Sequence, residues 1–168
     1  DSFLIDGRRV EVLDFIDDHS RYLLSITARP AFTGPAVAAE LQRLIDTYGP
    51  PASTLTDNGL VFTARLAGRK GGRNAFEKTL NDNRIQQKNG RPGHPQTQGK
   101  IERFHQTLKR WINAQPPAET IPQLQRQLNE FTAYYNTERP HRSLGRRTPH
   151  QAYTTGPKAE PTFTPKEE

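Results

Sequence analysis

The chain contains no cysteine. Disulfides and thiolate metal sites are thereby excluded, so a bound metal would need oxygen or imidazole ligands. Methionine is missing too, even at position 1, and the natural start is therefore expected upstream. There is one tryptophan, and only 32% of the residues are apolar. That fraction is low for a packed domain, so part of the chain is expected to be polar and extended. No apolar run is long enough to span a bilayer and no signal peptide is evident; a soluble cytoplasmic protein without a membrane partner is expected. Gly68–Gly72 lacks the Lys-Ser/Thr of a phosphate-binding loop. Ser20 has no His/Asp companions for a nucleophilic triad. His94, His105 and His141 lack metal-ligand spacing to one another.

Basic charge is plentiful. The 168 residues carry a formal net charge of +6, and charged residues make up 25%. The isoelectric point near 9.8 favours a polyanionic partner. The length fits one domain with a tail. Ser2 to Ile5 is a short strand candidate, and Asp6-Gly7 is a hairpin signal. Val10, Val12 and Leu13 to Ile16 form a second run, Asp17-Asp18-His19-Ser20 is a turn, and Tyr22 to Thr27 is β-prone again. A three-strand meander is expected. Gly34-Pro35 opens a helical stretch through Val37, Leu41, Leu44, Ile45 and Tyr48, which Gly49-Pro50-Pro51 stops. Ala52 to Thr56 then reads as a strand in parallel pairing, as in an α/β arrangement.

Residues 63–73 mix arginine, lysine and glycine and read as a mobile basic loop. A short helix over Asn74 to Leu80 and a last strand over Ile85 to Lys88 follow. Gly93, Pro95 and Gly99 are read as breakers. After them Ile101, Phe104, His105, Leu108, Trp111 and Ile112 recur with helical period as one apolar stripe. A second line, Glu102, Gln106, Lys109 and Asn113, places one carboxylate in the helix's first turn beside an amide and an ammonium, flanked by Arg103 and Arg110. That pattern suits a metal ligand facing a polyanion; the ordinary alternative is a surface helix whose Glu102 favours the N-terminus. A further helix spans Ile121 to Tyr135. From about residue 136 the chain is basic, and 154–168, rich in Pro, Lys and Glu, reads as a disordered tail.

Three carboxylates sit at element boundaries: Asp1 before the first strand, Asp57 after the Ala52–Thr56 run, and Glu102. Carboxylates converging from distant segments are what Mg²⁺ or Mn²⁺ requires. Taken alone, Asp57 is also an ordinary turn residue before Asn-Gly.

Four segments carry a resemblance: VLDFIDDHSR (Val12–Arg21), LTDNGLVF (Leu55–Phe62), GHPQTQGKIERFHQTL (Gly93–Leu108) and YYNTERPHRSLGRRTPHQAY (Tyr134–Tyr153). In this order they resemble the catalytic core of DDE transposases of the bacterial insertion-sequence type, in the retroviral-integrase superfamily. The resemblance implies an α/β, ribonuclease-H-like fold over residues 1–153, with a five-stranded mixed sheet flanked by helices and a basic extension from about 136. It maps catalytic, metal-binding carboxylates onto Asp57 and Glu102. Asp1 is the candidate for the first aspartate, unless that residue lies upstream. The implied activity is Mg²⁺- or Mn²⁺-dependent cleavage at a DNA 3′ end and strand transfer, with two ions. Lys100, Arg103, Gln106, Lys109, Arg110, Arg139, Arg142, Arg146 and Arg147, with His141, are the expected DNA contacts. DNA and further copies of the chain are the expected partners. A non-catalytic DNA-binding or assembly domain of the same fold, and a nuclease that only hydrolyses, are the competing classes.

Overall fold

A computed structural model describes residues 2–56, 74–89, 95–158, 160–162 and 164. Asp1, Asp57 and the basic 63–73 segment lie outside the described residues. Contacts group the chain into two units, Asp1–Ala31 with Gly99–Pro157, and Phe32–Gln98 with Lys158–Glu168.

In the first unit the expected meander forms. Strand β1 (Ser2–Phe3) pairs antiparallel with β2 (Arg9–Ile16), and β2 with β3 (Leu23–Arg29). The Asp6-Gly7 signal works as chemistry predicts. Gly7 takes a left-handed φ of 82° and its N–H donates to Leu4 O, while Asp6 Oδ1 accepts from Arg8 N at 3.0 Å. Helix α3 (Pro95–Asn113) and helix α4 (Ile121–Thr137) supply the other side of the core. Thr120 caps α4 by accepting from Gln123 N, and Pro122 stands where a missing N–H costs nothing. Leu124, Leu128, Phe131 and Tyr135 are the buried stripe of α4, and they meet Val10, Leu23, Ile26 and Ala28 of the sheet and Phe104 of α3. Phe104, Trp111, Phe131 and Tyr135 pack edge to face or tilted, with ring centroids 5.3–5.9 Å apart.

Two amides of α4 reach the outer side of β3. Asn136, 4% exposed, accepts from Leu23 N at 2.8 Å and donates to Leu23 O at 2.9 Å. Gln125 accepts from Ala28 N at 2.8 Å and donates to Ile26 O at 2.9 Å.

The second unit holds α1 (Gly34–Tyr48), β4 (Ser53–Thr56), α2 (Ala75–Asp82) and β5 (Gln86–Asn89). Thr33 caps α1, and Gly49 ends it with a φ of 85°. Val37, Ala38, Leu41, Leu44 and Ile45 form its buried face, and α1 packs on α2, which buries Phe76 and Leu80. β4 pairs with β5 in parallel, as expected for a strand after a helix.

The α/β class is observed, but the sheet differs from the expectation. Among the described residues the five strands form a three-stranded antiparallel sheet and a two-stranded parallel sheet, not one five-stranded sheet. β1 offers two residues for pairing and β4 and β5 four each, so the ladders are short. Two further corrections concern helices. Helix α3 already begins at Pro95 and runs through Gly99, because proline at a first turn starts a helix rather than breaking it. A fifth helix, α5 (Pro149–Thr155), lies in the stretch read only as basic and polar. Thr148 and Gln151 form its reciprocal capping box, and Pro149 and Ala152 are buried. Tyr153 stacks on Tyr22 at 4.6 Å, holding α5 against the turn between β2 and β3.

Candidate nucleic-acid interface and active site

The apolar side of α3 fixes which side chains are left for solvent. Phe104 is buried in the core, with Leu108, Trp111 and Ile112 packed against the same cluster. Two residues depart from the expected stripe. Ile101 is 36% exposed. His105 is exposed and turns to β2, where its Nε2 lies 3.1 Å from Asp14 Oδ2. This contact ties α3 to the sheet, and the helical spacing gave no sign of it.

The opposite face carries Glu102, Gln106, Lys109 and Asn113, all exposed, with Arg103 and Arg110 beside them. Glu102 is not in the first turn, as the sequence led us to expect; no acid is there. The helix starts at Pro95, which puts Glu102 about two turns inside it. The favourable field of a helix N-terminus fades within one turn, so it does not account for this carboxylate. Ion pairing does not account for it either. Among the described residues, the side chains of Glu102, Arg103, Gln106, Lys109 and Arg110 have neither a hydrogen-bond nor an ion-pair partner. On α1, by contrast, Arg43 closes on Glu40 at 2.7 Å. Among the described residues the face of α3 is thus an uncommitted array of one anion, two amides and three cations.

The other expected contacts divide. Lys100 Nζ pairs with Asp18 Oδ1 at 3.1 Å. Arg142 and Arg146 are exposed on the segment between α4 and α5. That segment is closed by an antiparallel bridge between His141 and Arg147, and Gly145 and Arg146 adopt left-handed φ values of 64° and 65°. Arg147 is tethered, donating from Nε to Leu144 O and from Nη1 to Thr155 Oγ1. Arg139 is half-buried, 6.0 Å from the Tyr135 ring centroid and 3.2 Å from His141 Nε2. His141 is no source of positive charge near neutral pH. Burial, then the Arg139 and Arg21 guanidinium groups, lowers its pKa to about 4, so the ring is neutral and can accept from Arg139. Burial likewise pushes the neighbouring Tyr135 hydroxyl up to about 12.

Of the three expected carboxylate ligands only Glu102 falls among the described residues, and within those residues no three His, Asp or Glu side chains gather to hold a metal. The donor chemistry of Glu102 fits a hard cation: an exposed, unpaired carboxylate oxygen in a chain without thiols.

Residues 2–95 match the integrase core domain family, and residues 83–149 match a second profile described in the same words. The chain belongs to the integrase core domain family. The chain is also similar to two curated proteins. The chain is 30% identical over 157 residues to the integrase-like ORF3 protein of Spiroplasma virus SpV1-C74, covering 88% of this chain and 42% of that protein. It is 27% identical over 148 residues to a 39.2 kDa insertion element IS476 protein of Xanthomonas euvesicatoria, covering 88% and 40%. The chain therefore spans about two fifths of their length. The catalytic core domain of BIV integrase superposes with a TM-score of 0.65 at 26% identity, covering 85% of this chain and 84% of that one. The integrase core of this chain is thus a retroviral-integrase-superfamily core of the insertion-sequence type. No described helix is long and apolar enough to cross a membrane.

Proposed function

We propose that this integrase core is the catalytic domain of a DDE transposase, cutting DNA to free a 3′ end and joining that end to target DNA. The observation that carries the reading is the α3 face. Among the described residues Glu102 stands unpaired well inside a helix, in line with Gln106 and Lys109 and flanked by Arg103 and Arg110. A polyanion bound over this face would bring its own charge to the cations and its own counter-ion to the carboxylate.

In the first step a water oxygen attacks a phosphodiester at the element's end, and the 3′-oxygen leaves. In the second that 3′-hydroxyl attacks a target phosphodiester, so one phosphodiester replaces another. Asp1, Asp57 and Glu102 would hold two Mg²⁺ or Mn²⁺ ions, which when bound activate the attacking oxygen and stabilise the leaving one. Lys109 lies seven residues beyond Glu102, about 20° off the same line, and its long side chain reaches for a phosphate over the carboxylates. Arg103, Arg110, Arg142 and Arg146 hold flanking phosphates, fixing register without reading sequence. Lys100 and Arg147 serve the same backbone, and Arg139 supports them from its packed position. A homo-oligomer working on paired DNA ends is the assembly we envisage.

The test is cleavage and strand transfer with Mg²⁺ for Asp57→Asn and Glu102→Gln. Both replacements keep size and remove charge, so each should abolish both reactions and leave the thermal melt unchanged. Activity near that of the unmodified protein in either variant refutes the assignment. Loss of joining with retained hydrolysis in the unmodified protein would point to a nuclease.

A further inference from the structure

We propose that a basic notch at Lys100 of α3 seats a backbone phosphate of duplex DNA, and that Asp18 fills this notch in the free protein as an internal stand-in for that phosphate. The proposal rests on the reading of DNA as substrate. Three segments of the first unit build the notch: the turn between β2 and β3, Lys100 on α3, and the Ser143–Arg147 turn. Its cations are Arg21, Lys100 and Arg147, with Asp18 as the acid among the described lining residues.

Both walls are fixed from within. Asp17 Oδ2 accepts from Ser20 N at 2.8 Å and from Ser20 Oγ at 2.5 Å, and Ser20 Oγ accepts from Tyr22 N at 3.1 Å. Ser20 is buried, and the backbones of Asp17 and Tyr22 close the turn. Arg21 sits in this turn with a left-handed φ of 64° and donates to the Asp18 carbonyl. On the other wall the two bonds of Arg147 to Leu144 O and Thr155 Oγ1 hold its guanidinium in place. The adjacent acids therefore have different duties. The Asp17 carboxylate is consumed by the turn. The Asp18 carboxylate, 68% exposed, accepts no backbone hydrogen bond of the turn and lies 3.1 Å from Lys100 Nζ and 4.0 Å from Arg21 Nη1.

A carboxylate and a phosphodiester each present one negative charge on paired oxygens. Asp18 meets two cations, whereas a phosphate seated in the notch meets three. An ion pair this open to water is weak, so a phosphate displaces it readily. Asp18 thereby keeps Lys100 and Arg21 in place without closing the site, and it disfavours occupancy by stray anions. Lys100 and Glu102, two residues apart, lie about 200° apart around α3, so the notch is a contact separate from the Glu102 line.

The experiment is a double-mutant cycle on duplex DNA binding by the whole chain, read by fluorescence anisotropy at several salt concentrations. Asp18→Asn should tighten binding about two- to five-fold, the range set by a weak exposed pair. Glu130→Gln, the same charge change on the exposed face of α4, should give less. Lys100→Ala should weaken binding and flatten the log–log salt slope by about one. In the Lys100→Ala background the Asp18→Asn gain should vanish. A gain equal to that of Glu130→Gln, or one that persists without Lys100, overturns the stand-in. Should Lys100→Ala unfold the chain, Lys100→Gln decides by the same criterion. Lys100→Ala weakening competition by sodium phosphate while leaving duplex binding unchanged would assign the notch to a free anion and overturn the strand reading. Absence of DNA binding by the unmodified chain would refute the DNA reading itself and this proposal with it, whereas DNA binding without the coupling refutes this proposal alone.

Discussion

Replacing Asn136 by alanine should be among the most damaging single changes outside the aromatic core. The amide is 4% exposed and satisfies both the N–H and the C=O of Leu23, at 2.8 and 2.9 Å. Alanine leaves both groups without partners, and Leu23 is 1% exposed, so water does not replace the amide. Each orphaned group costs about 1–3 kcal/mol, giving a loss of about 2–6 kcal/mol. For a domain of this size each kcal/mol lowers Tm by about 2–4 °C, so a fall of about 4–24 °C is expected. Gln125→Ala is the internal comparison. Its two bonds to Ala28 N and Ile26 O are of the same kind but only part-buried, so water takes them over and the loss should stay near 1 kcal/mol. Urea denaturation followed by circular dichroism, with the m-value checked, measures both. A loss below about 1 kcal/mol for Asn136→Ala, or equal losses for the two variants, refutes the argument from orphaned backbone groups.

Other outcomes follow from single features. Gly99 lies inside α3 and a Cβ there would meet nothing within 4 Å, so Gly99→Ala should stabilise the fold by about 0.5–1 kcal/mol, read from the same melts; a destabilisation would contradict the helical placement of Gly99. His141 is held neutral down to about 4 in the fold, against an ordinary value of 6.5. As pH falls through that window the unfolded chain takes up the proton first, so stability drops from about pH 6.5 to about pH 4. His141→Gln should lose that part of the slope, and identical pH profiles for the two proteins would show that the ring is not held neutral. Lys109→Ala removes an exposed, unpaired charge, so its melt should change by only about half a kcal/mol while strand transfer falls; unchanged joining at limiting DNA would remove Lys109 from the proposed site.

Local chemistry made much of this fold readable. The Asp6-Gly7 turn, the meander and α1 with its Gly49 stop all rest on residues close in sequence. The start of α3 was misread because proline and glycine were treated as breakers wherever they stood, although Pro95 occupies a position where helices accept it. The capping box of α5 was present in Thr148 and Gln151 but masked by the basic composition around it. Contacts such as Asn136 to Leu23, His105 to Asp14 and Lys100 to Asp18 join residues far apart in the chain, and no local pattern announces them. The site divides in the same way. The helical line of Glu102, Gln106 and Lys109 was legible from period, while its lack of internal pairing is visible only in three dimensions.

The amides of Asn136 and Gln125 also bear on how copies of this chain can meet. β3 is a terminal strand of its sheet, and such a strand ordinarily offers its backbone as a template for strand addition. Here Leu23 N and O, Ile26 O and Ala28 N are already engaged by α4. A second chain therefore cannot zip onto β3 at these positions, and neither can an extended peptide. Along β3, then, any assembly of copies would have to use helix and loop surfaces, whose side chains can change without breaking the sheet beneath them.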